Sequence, residues 1–350
     1  MSVVPLGAAR VWPLKQVFWL VEEAATGVTL IMPIPKTMRA AVIDHFGPPS
    51  VLKVREFPVP AISGREVLIR IHTAGVGSWD ADIRGGWWPE GKPKFPLILG
   101  TDGSGTIAAV GTRVRRLRVG QEVYAYNFIN RKGGFYAQYV AIAADKVAPI
   151  PRNLDLRKAG AIAVTSLTAL QGIDHLKIKR GEFVIVHGAS GGVGTLALQF
   201  ARLNGAKVLA TASGRDGVAM VKRLGADEAV DGKKNNLTEA ARDFAKTGVD
   251  AIFATVGGKS LQQCIAGLRR GGRVAYPNGI EPEPRKRKGI RIISYDAEAG
   301  VREFAQLTAA IEAAQVKAVI SAVYPLERAA NAHKRIAAGH IPGKIVLKVH

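Results

Sequence analysis

Three glycines at regular intervals, Gly188, Gly191 and Gly194, form the sequence feature with the clearest chemical meaning. They lie between a nearly continuous apolar run, Phe183–His187, and a segment with helical periodicity. In such a turn the first glycine permits a tight bend, the second lets the backbone approach a pyrophosphate, and the third lets the helix pack on the strand. The start of the helix adds free N–H groups and a partial positive charge. The sequence therefore predicts a dinucleotide site in Gly188-Ala189-Ser190-Gly191-Gly192-Val193-Gly194.

The next strand-like segment bears on which nicotinamide cofactor binds. It ends in Ala210-Thr211-Ala212-Ser213-Gly214-Arg215, without an acidic residue. A site selective for NAD usually places an acid here, bonded to the ribose 2′-hydroxyl. Ser213 can donate to a 2′-phosphate and Arg215 can neutralise it, with help from Lys222 on the following helix. We therefore expect NADPH rather than NADH; a solvated helix start is the alternative for these residues.

Composition and charge exclude several classes of protein. The single cysteine, Cys264, excludes an internal disulfide framework and a thiolate-rich zinc cluster, and the seven histidines lack the close pairing of a metal site on one helix. No apolar run reaches the roughly 18 residues that span a bilayer, so we expect no membrane partner. The single cysteine fits a reducing compartment, and we expect a cytoplasmic protein. The net charge of +21 attracts polyanions in general. The basic clusters at Arg113–Arg118 and Arg285–Lys288 lack interleaved aromatic residues, so nucleic acid is the less favoured partner.

Hydrophobic patterning divides the chain into three kinds of segment. We interpret residues 1–37 as an N-terminal extension outside the fold, and an upstream start codon is one hypothesis for its origin. From 38 to 157 short strands alternate with glycine and proline, which indicates a β-rich, partly barrel-like unit. From 158 to 298 strands alternate with helices, which is typical of a doubly wound Rossmann sheet. The strand-like tail Lys344–Val349 needs partners, so we expect 299–350 to close the first unit. The six strands predicted for the Rossmann sheet are Phe183–His187, Val208–Thr211, Glu228–Val230, Ala251–Ala254, Arg273–Tyr276 and Arg291–Ser294.

A set of motifs recurs in order from residue 38 to the C-terminus. Besides the glycine turn, they are Met38-Arg39-Ala40-Ala41-Val42, Arg118–Val123, Gly133–Val140, Leu167-Thr168-Ala169, Thr255–Gly258 and Gly343–Leu347. Together they resemble the medium-chain dehydrogenase/reductase superfamily, in its zinc-independent quinone oxidoreductase (zeta-crystallin-like) branch. The resemblance implies an α/β fold with a GroES-like substrate domain (38–157 and 299–350), a Rossmann NADPH-binding domain (158–298) and a cleft between them. It also implies a homodimer or tetramer.

The resemblance further implies how the cofactor is held. It places the turn residues Ser190, Gly191, Gly192 and Val193 along the pyrophosphate, and Thr168 near the nicotinamide carboxamide. The residues that it places along the ribose and the ring are Val256, Gly257, Asn278 and Gly279.

Zinc-dependent members of the superfamily differ from this sequence at two places. They carry a cysteine after the early strand, where Gly77 stands here, and a Gly-His-Glu sequence, where Gly100-Thr101-Asp102 stands. The four-cysteine loop of a structural zinc is missing as well. Without the metal there is no Lewis acid to polarise a carbonyl oxygen. We therefore expect no metal ligand and no zinc alcohol dehydrogenase chemistry.

The leading hypothesis is NADPH-dependent, zinc-independent reduction of quinones or α,β-unsaturated carbonyls by direct hydride transfer. Charge then develops on the carbonyl oxygen, where an aimed hydrogen-bond donor stabilises it. We expect such donors on the inner wall of the first domain, at Tyr126, Asn127 or Tyr136, with packing between the domains as their alternative role. Two further hypotheses stay open: a zinc-independent carbonyl or alcohol oxidoreductase, and an RNA-binding zeta-crystallin-like protein.

The segment 77–84 departs from quinone reductases, which typically carry asparagine at the place of Gly77. Asp80 and Arg84 have the four-residue spacing of a helical ion pair. Alternatively, Ser78 or Trp79 faces the substrate. This departure leaves both the substrate and the proton donor open.

Overall fold

The computed structural model of the chain describes residues 23–24, 27–28, 33–89 and 91–350. The chain divides into two compact units, Met1–Pro35 and Lys36–His350. In the first unit, β1 (Glu23–Ala24) and β2 (Gly27–Val28) pair antiparallel. The predicted extension, 1–37, therefore lies largely outside the described residues. The second unit contains the glycine turn and the other motifs identified from residue 38 to the C-terminus.

Short apolar runs from both ends of the second unit build its β-rich part. Its elements are β3 (Thr37–Ile43), β4 (Lys53–Pro58), β5 (Glu66–Val76), α1 (Ser78–Gly85), β6 (Leu97–Ile98), β7 (Asp102–Val110), β8 (Glu122–Tyr126), β9 (Tyr139–Ala143), β10 (Val147–Pro149), β17 (Ile320–Pro325), α8 (Ala329–Ala337) and β18 (Lys344–Lys348). One sheet runs β10-β8-β7-β5-β18-β17, with β9 also paired to β5, and a smaller sheet runs β4-β3-β6. Apolar residues from most of these strands and from α8 form the main core of this part, and residues of β3, β5 and β9 form a smaller one.

The C-terminal strand completes the larger sheet. β18 pairs antiparallel with β5, with Ile345 opposite Val76 and Lys348 opposite Thr73. Three of its residues, from Ile345 to Leu347, are buried. An isolated terminal strand would leave its backbone amides and carbonyls without partners, so this pairing satisfies them. The strand-like tail therefore joins the first sheet, as its pattern predicts.

The middle of the chain forms the second sheet. Its elements are β11 (Phe183–His187), α3 (Gly192–Leu203), β12 (Lys207–Ala212), α4 (Gly214–Arg223), β13 (Glu228–Asp231), α5 (Leu237–Phe244), β14 (Val249–Ala254), α6 (Gly258–Ala266), β15 (Leu268–Pro277) and β16 (Arg291–Tyr295). The strands run β13-β12-β11-β14-β15-β16 and pair in parallel. This is the doubly wound order, whose direction of winding reverses between β11 and β14. The predicted Rossmann fold is confirmed, and each of its six predicted strands is present.

A long buried helix, α2 (Leu156–Leu176), packs against both sheets. At Gly160 a Cβ atom would lie 2.7 Å from the Thr73 carbonyl oxygen of β5, and at Gly172 it would lie 2.2 Å from the Phe253 ring of β14. Helix α7 (Val301–Ala313) packs on α2 as well. The predicted limit between residues 157 and 158 falls inside α2, and the domain limits stay predictions. Among the described residues, no helix has the length and apolarity needed to cross a bilayer.

The packing of α2 on the second sheet gives a test. We expect Gly172→Ala to lower the free energy of unfolding by about 1–3 kcal/mol, because the new methyl group would lie 2.2 Å from both the Tyr295 hydroxyl and the Phe253 ring. Gly85→Ala is the matched control, since a Cβ there meets nothing within 4 Å. Urea unfolding followed by circular dichroism measures both variants. Equal stability of the two would contradict the packing of α2 described here.

Candidate functional site

The glycine turn follows β11 at the carboxyl edge of the second sheet. Gly188 has a φ of +80°, and a Cβ on it would lie 2.3 Å from Thr255 Oγ1. A Cβ on Gly194 would lie 2.2 Å from the Gly188 carbonyl oxygen, so this glycine lets α3 pack closely on the turn. At Gly191 a Cβ would meet only that same carbonyl, at 3.6 Å. In the described structure no side chain caps α3 at Gly191, so its first amides are left for a ligand.

A cleft of about 1020 Å³ opens in front of this turn. Many of the residues predicted to bind the cofactor line it: Gly188, Ser190, Gly191, Gly192, Val193, Ser213, Arg215 and Val256. A side chain at Gly191 would occupy part of this space. The glycine cradle, the uncapped helix and the size of the cleft fit a dinucleotide.

The remaining predicted cofactor residues lie at the ends of neighbouring strands. Gly257 precedes α6 as its N-cap residue. The Asn278 side-chain amide donates to Asp296 Oδ2 over 2.8 Å, so its hydrogen bonding is directed to the protein. At Gly279 a Cβ would lie 3.1 Å from the Trp79 ring, which places this glycine beside α1. Their contacts with a cofactor stay predictions.

The cleft contains a further cationic side chain that was not among the predicted cofactor-binding residues. Lys233 follows the third Rossmann strand and lines the cleft together with Arg215. Its Nζ lies 2.7 Å from His340 Nε2. Lys222, in contrast, donates to the Asp227 carbonyl oxygen over 2.6 Å. The Lys233-Lys234 pair directly after a Rossmann strand was the available sequence signal.

A second, smaller cavity of about 220 Å³ adjoins the cleft and shares Gly192, Val193 and Ile341 with it. Residues from four parts of the chain line its other walls: Gly77, Ser78, Trp79, Thr101, Thr165, Thr168 and Lys344. Of the two interpretations of segment 77–84, the structure therefore supports the one in which Ser78 and Trp79 face a cavity.

Three aromatic rings stand together at the α1 side of this cavity. The Trp79 ring centroid lies 5.8 Å from that of Phe128 and 6.1 Å from that of Trp87. Trp87 is 46% exposed although it is large and apolar. An exposed apolar surface next to a cavity is typical of a site for a flat or lipophilic molecule.

Two buried carboxyl groups lie beneath the smaller cavity. Asp80 and Asp102 are 1% and 0% exposed. The Gly77 amide donates to Asp80 Oδ2 over 2.8 Å. Burial raises the pKa of Asp80 to about 7 and also raises the pKa of Asp102, while the positive charge of Lys344 acts in the opposite direction on both. Lys344 is 6% exposed. In the sequence, Lys344 belongs to the strand-like tail and to the motif Gly343–Leu347, and neither pattern predicts that it lines a cavity.

The other interpretation of segment 77–84, an ion pair between Asp80 and Arg84, is wrong. Both side chains are buried, and among the salt bridges of the described residues this pair does not occur. Arg84 instead has its Nη2 within 3.5 Å of the Ala81 carbonyl oxygen. Helix α1 packs these positions against the core rather than exposing them to water.

The three residues expected as donors lie in different surroundings. Tyr136 is fully buried and its hydroxyl lies 3.2 Å from His333 Nε2, so its expected place on the inner wall is wrong. Tyr126 is half-buried, and burial raises the pKa of its phenol. The backbone N–H of Asn127 donates to the Thr101 carbonyl oxygen over 2.9 Å. Among the described residues that line the smaller cavity, neither Tyr126 nor Asn127 occurs. Their catalytic roles stay predictions.

Comparison with known proteins agrees with this architecture. Residues 63–152 match the family described as alcohol dehydrogenase GroES-like domain, and residues 224–347 match the family described as zinc-binding dehydrogenase. The chain is 35% identical to a quinone oxidoreductase of Mus musculus over 329 residues, covering 89% of this chain and 98% of that protein. A chloroplastic NADPH-dependent alkenal/one oxidoreductase of Arabidopsis thaliana is 29% identical over 337 residues, covering 93% of this chain and 83% of that protein. The structure of the quinone oxidoreductase from Coxiella burnetii matches with a TM-score of 0.80 at 30% identity, covering 90% of this chain and 100% of that one.

The description of the second family names zinc, but the residues at the smaller cavity do not fit this ion. Glycine at position 77 offers no side-chain donor atom, and the side chain of Thr101 offers only a hydroxyl. The Lys344 ammonium lies next to Gly77 and would repel a second cation. Within 33–89 and 91–350, no three His, Cys, Asp or Glu side chains come together as a metal site.

The glycine turn offers a matched pair of variants. We expect Gly191→Ala to fold normally but to bind NADPH at least 10-fold more weakly, because its methyl group would occupy the cleft that faces the pyrophosphate. Gly194→Ala should instead lower stability by about 1–3 kcal/mol, because its methyl group meets the Gly188 carbonyl. Thermal unfolding and calorimetric titration with NADPH measure the two effects. Full binding by a folded Gly191→Ala variant would refute the assigned orientation of the turn.

Proposed function

This chain is an oxidoreductase of the medium-chain dehydrogenase/reductase superfamily with quinone oxidoreductase (zeta-crystallin-like) relatives, and on that premise we propose that it reduces quinones or α,β-unsaturated carbonyls with NADPH and without zinc. The observation that carries the proposal is the smaller cavity. It adjoins the glycine turn, has an aromatic wall at Trp79 and holds a lysine instead of zinc ligands. The names of the mouse and Arabidopsis relatives support the same substrate classes.

When bound, the nicotinamide cofactor supplies a hydride. The protein's part is to hold both reactants at near-attack distance. The amides of the glycine turn and the positive end of α3 bind the pyrophosphate. Thr168 Oγ1 donates to the Val164 carbonyl oxygen over 2.9 Å, so its lone pairs are free to accept from the carboxamide NH₂ group. Thr168 thereby orients the ring toward the smaller cavity, which it lines.

The shape of the smaller cavity favours a flat substrate. Trp79 forms one wall, and its contacts with Trp87 and Phe128 extend an apolar surface outward. A quinone or enone stacks on such rings and keeps its carbonyl oxygen toward the polar wall formed by Thr101 and Lys344. The charge that develops on this oxygen during reduction is stabilised there.

The preference for NADPH rests on two cations in the cleft. Arg215 and Lys233 line it together with Ser213, near the end of β12 where the ribose of a Rossmann-bound cofactor lies. A 2′-phosphate would accept hydrogen bonds from all three side chains. The name of the Arabidopsis relative supports the same cofactor.

Three arginines of the two basic clusters donate to carbonyl oxygens of the protein. Arg115 Nη1 donates to the Thr112 carbonyl oxygen over 2.7 Å, and Arg116 Nη2 donates to that of Val147 over 2.7 Å. In the second cluster, Arg287 Nη1 donates to the Ile265 carbonyl oxygen over 2.6 Å. An arginine bonded to a neutral carbonyl keeps its charge, so RNA binding stays a hypothesis beside the proposed activity. A homodimer or tetramer and a cytoplasmic location stay predictions.

NADPH oxidation followed at 340 nm tests the activity. We expect turnover with quinones and enals, little turnover with saturated aldehydes, and no loss after treatment with a chelator, since the cavity offers zinc no ligands. Saturated aldehydes are the control, because a carbonyl or alcohol oxidoreductase would accept them. If no quinone or enal is reduced while NADPH still binds, the proposal is overturned.

The cofactor preference can be tested separately. We expect Arg215→Ala and Lys233→Ala each to lower kcat/KM for NADPH about 10-fold, because a charge-assisted hydrogen bond to the 2′-phosphate is lost. kcat/KM for NADH should stay unchanged. Lys222→Ala is the control, because this lysine on the same helix as Arg215 is bonded to the Asp227 carbonyl. An unchanged NADPH to NADH ratio in both variants would show that neither cation contacts the phosphate.

A further inference from the structure

Two glycines of β5 and the following turn leave space for buried charges. A Cβ on Gly75 would lie 2.4 Å from Asp102 Oδ1, and a Cβ on Gly77 would lie 3.3 Å from Lys344 Nζ. A side chain at position 75 would therefore displace the carboxylate, and one at position 77 would come into tight contact with the ammonium.

Lys344 connects the cofactor turn with the smaller cavity. Its Cδ lies 3.3 Å from the position of a Cβ on Gly192, at the start of α3. From there its stem leads to Nζ beside Gly77, and the residue lines the cavity together with Ser78 and Thr101. The ammonium group thus lies away from the glycine turn, on the side where a substrate would enter.

Asp80 on α1 and Asp102 on β7 are each held by a hydrogen bond from a backbone amide. Each accepts a backbone amide on Oδ2, from Gly77 over 2.8 Å and from Val164 over 3.0 Å. Each Oδ1 is buried and has no hydrogen-bond partner among the described residues. Buried carboxylates without a nearby cation are costly, and Lys344 is the cation whose charge acts on both. Lys344 does not occur among the salt bridges of the described residues, so the two carboxylates act on its charge from a distance. The lysine is buried, where the dielectric constant is low and a charge acts strongly.

We propose that the Lys344 ammonium is the acid of this active site, which hydrogen-bonds the substrate carbonyl oxygen and gives it a proton, with Asp80 and Asp102 as positioning residues. This inference rests on the proposed reduction of quinones or enones and names the proton donor for it. Preorganised donors aimed at a developing oxyanion are among the largest contributions to catalysis.

The proton transfer balances with the reduction. The β-carbon of an enone accepts the hydride with its electron pair, and the π electrons of the C=C bond move toward the carbonyl oxygen as an enolate. The Lys344 N–H bond then breaks as the O–H bond forms, which leaves a neutral amine and an enol that tautomerises to the saturated carbonyl. A quinone yields the hydroquinone in the same way. A proton from solvent restores the ammonium.

Lys344→Met is the primary test, and Lys348→Met is its matched control on the same strand, since Lys348 is exposed. We expect Lys344→Met to lower kcat/KM for the best quinone or enone about 100-fold, as loss of one oxyanion donor does. Its dissociation constant for NADPH should stay within threefold of the wild-type value. The control should keep both values.

Binding of 4-nitrophenol to the full-length protein gives a readout besides activity. The phenolate mimics the oxyanion, and its visible absorbance reports its ionisation. In the wild-type protein we expect the bound phenol to ionise at lower pH than the free phenol, and Lys344→Met should bind the phenolate at least 10-fold more weakly. Nitrobenzene, which carries no charge, should bind both proteins equally.

Several outcomes overturn the inference. A folded Lys344→Met variant with wild-type kcat/KM would do so. The inference also fails if Lys344→Met binds NADPH more weakly but binds the phenolate as the wild-type protein does. That result would place the ammonium on the cofactor phosphate. If Lys344→Met does not fold, the wild-type ionisation of bound 4-nitrophenol decides, and the absence of any shift refutes the proposal. If the wild-type protein reduces no quinone or enone, the proposed function fails, while the phenolate measurement still tests Lys344 as an oxyanion donor.

Discussion

The position of α2 between the two sheets is the constraint on which the site depends. The helix has no side chain at Gly160, where β5 approaches, or at Gly172, where β14 and β16 approach. The Tyr295 hydroxyl of β16 donates to the Thr168 carbonyl oxygen over 2.5 Å. Because close-packed interiors resist displacement, the helix fixes one wall of the smaller cavity with respect to the glycine turn. Thr165 and Thr168 on that helix line the cavity.

The same helix is hydrogen-bonded to a buried carboxyl group of the first sheet. Asp102, at the start of β7, accepts the amide of Val164, which lies inside α2. This carboxylate is fully buried and faces the Lys344 charge from the C-terminal strand. Residues from the beginning, the middle and the end of the second unit therefore meet at one buried cluster. Gly75 permits this meeting, because a side chain there would overlap Asp102.

The larger cleft and the smaller cavity suit different ligands. The cleft presents backbone amides and cations, which suit a phosphorylated ligand. The cavity presents an aromatic wall, hydroxyl groups and one lysine, which suit a neutral carbonyl compound. Gly192 and Val193 belong to both, so the two ligands would meet at the start of α3. This arrangement explains why the sequence motif identified the cofactor class but not the substrate.

The sequence by itself determined the features whose signals are local. The spacing of Gly188, Gly191 and Gly194 and the alternation of strands and helices depend on neighbouring residues, so the Rossmann sheet and its turn could be predicted from them. The burial of Tyr136, the separation of Asp80 from Arg84, the place of Lys233 in the cleft and the long helix α2 could not, because each depends on which distant elements pack together. The tertiary structure alone placed Lys344 beside Gly77. Burial and charge act through space, and a pattern along the chain does not record which residues the fold brings into contact.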